Sequence, residues 1–386
     1  MRRFTSVQNN VSVYRYFIGQ KVLVGSSICS GGLRCNRCRF STCTTDTVRF
    51  DSHLEKGETF IMVIVSKNTE HIHHGRPPWH AVLVLGTLVF LSILFFPTPS
   101  DLDHTVAVPE TFTKRLFPKY MSVQALVIVR SISAAFILGL SLYALLLAMF
   151  GSEPTVLVIP YLAQSKLQRG KPIALKGLYS QAAFTMWAWN LLGVSFGVNA
   201  YVTYLIMHER PVSPWLLRTA ILLFEMAAPF TLLVAAVVKY ALWPQSLKNG
   251  AGKDPTKSFK VFRVLCFHNL NVVLAMSEVA LWGGLPVRFH DASLAILFGC
   301  AFVAFAWAIR NGWNPSAGPQ FLYFFLDTTL GITTSLVLIA LCLVFVMFYA
   351  FFCVLHVGLD HMESAGLLAH VFSVVIVCAL VCRVRD

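Results

Sequence analysis

Eight stretches of this chain run for the length of a bilayer crossing with almost no charge, and that pattern constrains the fold more than any motif. They are Ala81 to Phe96, Ser131 to Phe150, Ser180 to Met207, Ala220 to Val238, Val264 to Val287, Ala292 to Ile309, Thr328 to Leu355 and Ser364 to Cys382. A bilayer core takes about 17–25 apolar helical residues per crossing, which these runs supply repeatedly. Composition agrees: 56% of the 386 residues are hydrophobic and only 13% charged, half the charge of a soluble domain. A membrane barrel would alternate polarity over segments of about 10 residues, and these runs are apolar all round. The reading is an all-α, polytopic membrane helix bundle of about eight transmembrane helices.

Charge between the runs sets the orientation. With the amino terminus in the cytosol, 24 of the 31 Lys and Arg fall on the cytosolic side, and the basic count alternates loop by loop. Both termini are therefore expected in the cytosol. Asp101, Asp103 and Asp291 fall in the opposite loops. The net charge of +13 needs no nucleic-acid partner, since basic loops beside an anionic leaflet account for it.

Residues 1–79 are of different material, basic and rich in Cys, Ser and Thr, and read as a disordered tail, with an organelle transit peptide as the alternative. Cys29, Cys35, Cys38 and Cys43 lack a second pair at zinc-site spacing, and His71, His73, His74 and His80 lie in a basic stretch. Neither cluster is taken as a metal site. Residues 80–386 form the transmembrane domain.

Ionisable residues inside a membrane mark sites by default, because each costs several kcal/mol unless paired. Glu225, His268, Glu278 and His370 qualify, while Arg130 and Lys239 stand at run ends where they can snorkel. His370 reads as a hydrogen-bonded histidine of the bundle. In the polar third run, Thr185, Trp189 and Gly193 are four apart and share a face. In the fifth, His268 and Asn271 share a face, and Glu278 lies roughly 15 Å deeper. Topology puts Thr185 and His268 at similar depth, about one turn in from the cytosolic side, with Lys239 close to that level. A hydroxyl, an imidazole and a cation in one layer are the parts of nucleophilic acyl transfer, with Lys239 a candidate for the oxyanion. The bland alternative is helix packing, for which small and hydroxylated residues also serve.

The stretch Phe184-Thr185-Met186-Trp187-Ala188-Trp189-Asn190-Leu191, then His268-Asn269-Leu270-Asn271 with Glu278 ten residues after the histidine, then Pro286 with Arg288, resembles the androgen-induced membrane protein family. The wider rolling-stone-like set shares these features. Tyr323-Phe324-Phe325-Leu326-Asp327 is similar to that set's Tyr-Pro-Phe-Leu-Asp signature, with Phe324 in place of proline. The family-like core is 180–327. The resemblance implies an integral-membrane threonine hydrolase of lipid esters such as fatty acid esters of hydroxy fatty acids, without a cofactor. It places the nucleophile on Thr185 and the base on His268. From the residues themselves, the indoles of Trp187 and Trp189 would hold an acyl chain, with Asn271 on the His268 face as a supporting residue. The resemblance gives Glu278 a structural part below the catalytic layer. The competing reading is a non-enzymatic transporter, sensor or scaffold in which Glu225, Glu278 and Arg130 mark a polar pathway. An endoplasmic reticulum or plasma membrane location suits either, with an organelle membrane as the further option.

Overall fold

The structure, a computed structural model, describes residues 75–151, 155–158, 161–167, 172–249, 256–313 and 319–385, together with five strands in the first 74 residues. The chain divides into two units, Met1–His74 and Gly75–Asp386. Within the first, β1 (Val11–Arg15) pairs antiparallel with β2 (Val24–Ser26) and β5 (Met62–Ser66), and β3 (Arg39–Thr42) pairs with β4 (Val48–Asp51). The four tail cysteines and His71, His73 and His74 lie outside the described residues.

The second unit is a helical bundle. Each of the eight apolar runs becomes a helix: α1 (Trp79–Leu94), α4 (Val123–Phe150), α5 (Phe184–Met207), α6 (Pro214–Val237), α8 and α9 (Phe262–Leu265 and Asn271–Ala280) joined by a π turn, α10 (Ser293–Ala308), α11 (Ile332–His361) and α12 (Gly366–Val381). Short helices α2 (Pro99–Thr105), α3 (Pro109–Thr113) and α7 (Trp243–Asn249) fill the connections. One hairpin, β6 (Thr155–Val158) with β7 (Pro172–Leu175), sits between α4 and α5.

Helix starts follow local chemistry. Ser122 accepts from Ala125 N at 3.1 Å to open α4, and Ser213 accepts from Leu216 N at 3.3 Å with Pro214 at the first helical position of α6. Both satisfy donors that a helix cannot pair internally.

Five helices are long and apolar enough to cross a membrane, or six if the pair α1–α2, bent by 51°, is one span. The difference from eight has physical causes. Helices α1 and α12 have 16 residues each, about 24 Å, short of the roughly 30 Å hydrocarbon core. The α8–α9 segment is interrupted by Arg263, His268, Asn269, Asn271 and Glu278.

Helix α6 is the central post, packed by α5, α9, α10, α11 and α12, and every residue from Ala227 to Ala236 is buried. The outer helices show the reverse. On α11, Ile332, Leu336, Ile339, Leu343, Met347, Phe351 and Val354 recur every three or four residues and are all exposed. In water such a stripe would be a large apolar liability, whereas against lipid tails it is at no disadvantage. The protein is thus a membrane-embedded helical bundle.

Candidate functional site

The head of α5 is set in aromatic side chains. Phe184 stacks on Phe345 of α11 at 5.5 Å and meets Phe230 of α6 and Phe302 of α10 edge-on at 5.4 and 5.1 Å. Its backbone N–H donates to Tyr323 Oη at 3.1 Å. Burial raises the Tyr323 phenol to about 12, so it stays protonated and holds the helix start in place. Two segments that carry the family resemblance therefore touch here. Asp327, at the end of the second, accepts from Thr329 N at 2.7 Å, and Trp307 Nε1 donates to the Leu326 carbonyl at 3.2 Å.

Thr185 lies in the first turn of α5, half-buried. The two indoles that follow point to different neighbours. Trp187 packs on Phe302 and Phe305 of α10 at 5.5 and 4.9 Å. Trp189 is fully buried, donates from Nε1 to the Ile137 carbonyl of α4 at 3.0 Å, and meets Phe267 at 5.4 Å. Gly193 continues that face, since a Cβ there would lie 2.5 Å from Ile137 Cγ2. The face shared by Thr185, Trp189 and Gly193 is thus one along which α5 packs on α4 in its later turns.

His268 sits on the π turn Cys266–Leu270 between α8 and α9. Such one-turn bulges re-aim side chains and recur at functional sites. The imidazole interacts with the backbone of Val264 and has the Phe259 ring 6.4 Å away. Its Nδ1 is buried without a hydrogen bond of good geometry among the described residues. Asn271, one turn on and fully buried, uses its Oδ1 on Val272 N at 2.7 Å and leaves Nδ2 buried and unpaired. The π turn packs on α5 through Phe267 and Trp189, one residue before His268 and one turn after Thr185.

Lys239 is engaged elsewhere. Its Nζ donates to the Ala379 carbonyl at 2.6 Å and Tyr240 Oη to the Leu380 carbonyl at 2.5 Å, so the two residues cap the open end of α12. Asn269 holds the same end through Arg383, with both bonds at 3.0 Å. His370 of α12 has Nδ1 2.8 Å from the Ala280 carbonyl, the bundle contact expected of it.

Glu278 and Arg130 form a salt bridge in which both side chains are fully buried. Arg130 Nε reaches Oε2 at 3.1 Å and Nη2 reaches Oε1 at 2.5 Å, while Nη1 donates to Thr203 Oγ1 at 2.7 Å and the Phe112 carbonyl at 3.0 Å. The snorkelling expected of Arg130 is therefore corrected. Helix α4 begins at Val123, eight residues before the apolar run, and this carries Arg130 two turns inside the helix.

Glu225 of α6 is also fully buried. It accepts from Arg288 N at 3.1 Å, and Arg288 in turn grips Asp291 and Asp101. Sequence reasoning missed Asp291 as a partner, placing it in an exposed loop although it is fully buried. The signal available was its i, i+3 spacing from Arg288.

A membrane-embedded helical protein with two buried ionic networks and a histidine on a π turn is the class these features define. No family model, curated protein or solved structure matches the chain.

Proposed function

We propose that the protein hydrolyses lipid esters from within the membrane, as a threonine hydrolase of the androgen-induced type, with Thr185 as nucleophile and His268 as general base. One observation carries the reading: the π turn that bears His268, whose Nδ1 is buried and unpaired among the described residues, packs on α5 through Phe267 and Trp189, one turn after Thr185. The contact between Phe184 N and Tyr323 Oη also supports it, because it joins two segments that both carry the resemblance.

In this reading the Thr185 hydroxyl attacks the ester carbonyl as His268 takes its proton. The imidazolium then protonates the departing alcohol and leaves an acyl-threonine. Water, deprotonated by the same imidazole, releases the fatty acid and restores the hydroxyl. With Lys239 spent on α12, the Asn271 Nδ2 amide is the better oxyanion donor. Phe184 and Trp187 offer apolar surface to an acyl chain. The membrane arrangement we propose has eight crossings, both termini in the cytosol, and an endoplasmic reticulum or plasma membrane location.

The test is hydrolysis of fatty acid esters of hydroxy fatty acids by the purified full chain. Thr185→Ala and His268→Ala should each lose at least 100-fold, on the order of what general-base and nucleophile losses cost, while Thr185→Ser keeps part of the rate. Equal rates in all four proteins would end the proposal. A non-enzymatic multi-pass role, as transporter, sensor or scaffold, is favoured by a different observation, the excess of carboxylates around Arg288.

A further inference from the structure

One buried charged cluster has no part in ester hydrolysis. It lies where α6, the turn before α10, α2 and α11 meet. Glu225 and Asp291 are wholly shielded from solvent, and the guanidinium that serves both, Arg288, is only 16% exposed. Arg288 Nε donates to Asp291 Oδ2 at 2.7 Å and lies 3.6 Å from Glu225 Oε1, and Nη2 is 2.6 Å from the same Asp291 oxygen. Nη1 reaches outward to Asp101 Oδ2 at 2.9 Å and Thr105 Oγ1 at 2.6 Å on α2. Tyr349 of α11 donates to the Arg288 carbonyl at 3.0 Å.

Charge does not balance here. Fully ionised, the cluster would hold three carboxylates against one guanidinium, and only Asp101, 47% exposed, is solvated. Arg218, two turns before Glu225 on α6, is taken by Asp103 through contacts of 2.7 and 2.5 Å. The remaining titratable neighbours, the Tyr349 phenol and the Cys353 thiol of α11, are of types that carry no charge near neutral pH. One negative charge is thus left over in the dry part of the site, where a low-dielectric interior strongly disfavours it.

The atoms show how that charge is removed. Glu225 Oε2 and Asp291 Oδ1 are both buried without a hydrogen bond among the described residues, while the other oxygen of each carboxyl faces the same guanidinium, Glu225 Oε1 at 3.6 Å from Nε and Asp291 Oδ2 at 2.6 Å from Nη2. Two ionised carboxylates on one buried guanidinium repel, and a single proton shared between them would turn the repulsion into an O–H···O bond that satisfies both orphans. Two free oxygens fall well short of the roughly six to eight that a calcium ion takes. We infer that Glu225 and Asp291 form a proton-binding site, holding one proton between them, anchored by Arg288 and opening to the membrane surface through Asp101. The bound proton locks the Arg288–Asp291 turn to α6 and α11, so its loss loosens three helices together.

Infrared spectroscopy of the full-length protein in lipid nanodiscs at neutral pH tests this. The wild type should show a protonated-carboxyl C=O band that shifts on isotopic labelling of glutamate or aspartate and vanishes in both Glu225→Gln and Asp291→Asn. Labelling needs no mutation, so a variant that misfolds leaves the test intact. A carboxyl band that neither label moves, or that survives in both folded variants, overturns the proposal. Thermal unfolding gives an independent readout. A proton held by the folded but not the unfolded chain stabilises less as pH rises, so the wild type should fall progressively below Glu225→Gln toward alkaline pH. Parallel pH profiles for the two proteins would contradict the shared proton.

Discussion

Removing Glu278 should be one of the most damaging single changes in the bundle, and its size follows from the contacts. Arg130 loses the bidentate partner at 3.1 and 2.5 Å and keeps only the Thr203 hydroxyl and Phe112 carbonyl, both on Nη1. Nε and Nη2 are then left without acceptors on a side chain that has no solvent exposure. Breaking a buried pair from one side costs about 3–5 kcal/mol, most of it the uncompensated charge rather than the lost attraction. Glu278→Ala should lower the unfolding midpoint by on the order of 10 °C. The double variant Arg130→Met/Glu278→Leu should recover most of that loss, because apolar side chains of similar volume remove both charges together. Thermal unfolding of the wild type, Arg130→Met, Glu278→Leu and the double variant in one detergent completes the cycle, with Glu278→Ala measured beside them. A Glu278→Ala loss below about 1 kcal/mol, or a double variant as unstable as the two single losses added, would refute a dry, mutually dependent pair.

Other expectations follow from close approaches and caps. Gly283→Ala drives a Cβ into Arg130 Nη2 and Glu278 Oε1, so it should destabilise nearly as much as Glu278→Ala in the same unfolding assay. Gly299→Ala collides with the Phe345 ring, which stacks on Phe184, and should cost about 1–3 kcal/mol. Ester hydrolysis should fall with it, as the aromatic packing behind Thr185 shifts. Tyr323→Phe removes the acceptor for Phe184 N and, in the proposed ester hydrolysis, should lower kcat with little change in KM, measured on the purified protein. Lys239→Met with Tyr240→Phe uncaps α12, worth roughly 1 kcal/mol locally, and should speed proteolysis of the carboxyl-terminal residues in a timed digest.

The helices were legible because hydrophobic length is a local property: all eight apolar runs correspond to helices. Their ends were not. Helix α4 starts at Val123 because the Ser122 cap and not hydropathy sets the first turn, and this moved Arg130 from the interface to the core. Partnership was the other hidden quantity. Glu278 stood out as an intramembrane acid, but its partner lies 148 residues earlier, and nothing local couples the two. Glu225 was flagged as well, whereas Asp291 looked like a loop acid until the turn before α10 folded it inward. At the candidate catalytic site, Thr185 and His268 could be named from their segments. The π turn under His268 could not, since it depends on how α8 and α9 join rather than on any residue preference. Lys239 was legible as a cation near the bundle end, and only the position of α12 revealed what it binds.

The central claim is that His268 activates Thr185. Treating the folded protein with a fluorophosphonate probe and mapping adducts by peptide mass spectrometry measures that directly. The expected result is an adduct on Thr185 that disappears in His268→Ala while the variant remains folded. A folded wild-type protein with no adduct on Thr185, or one labelled equally with and without the histidine, would contradict it.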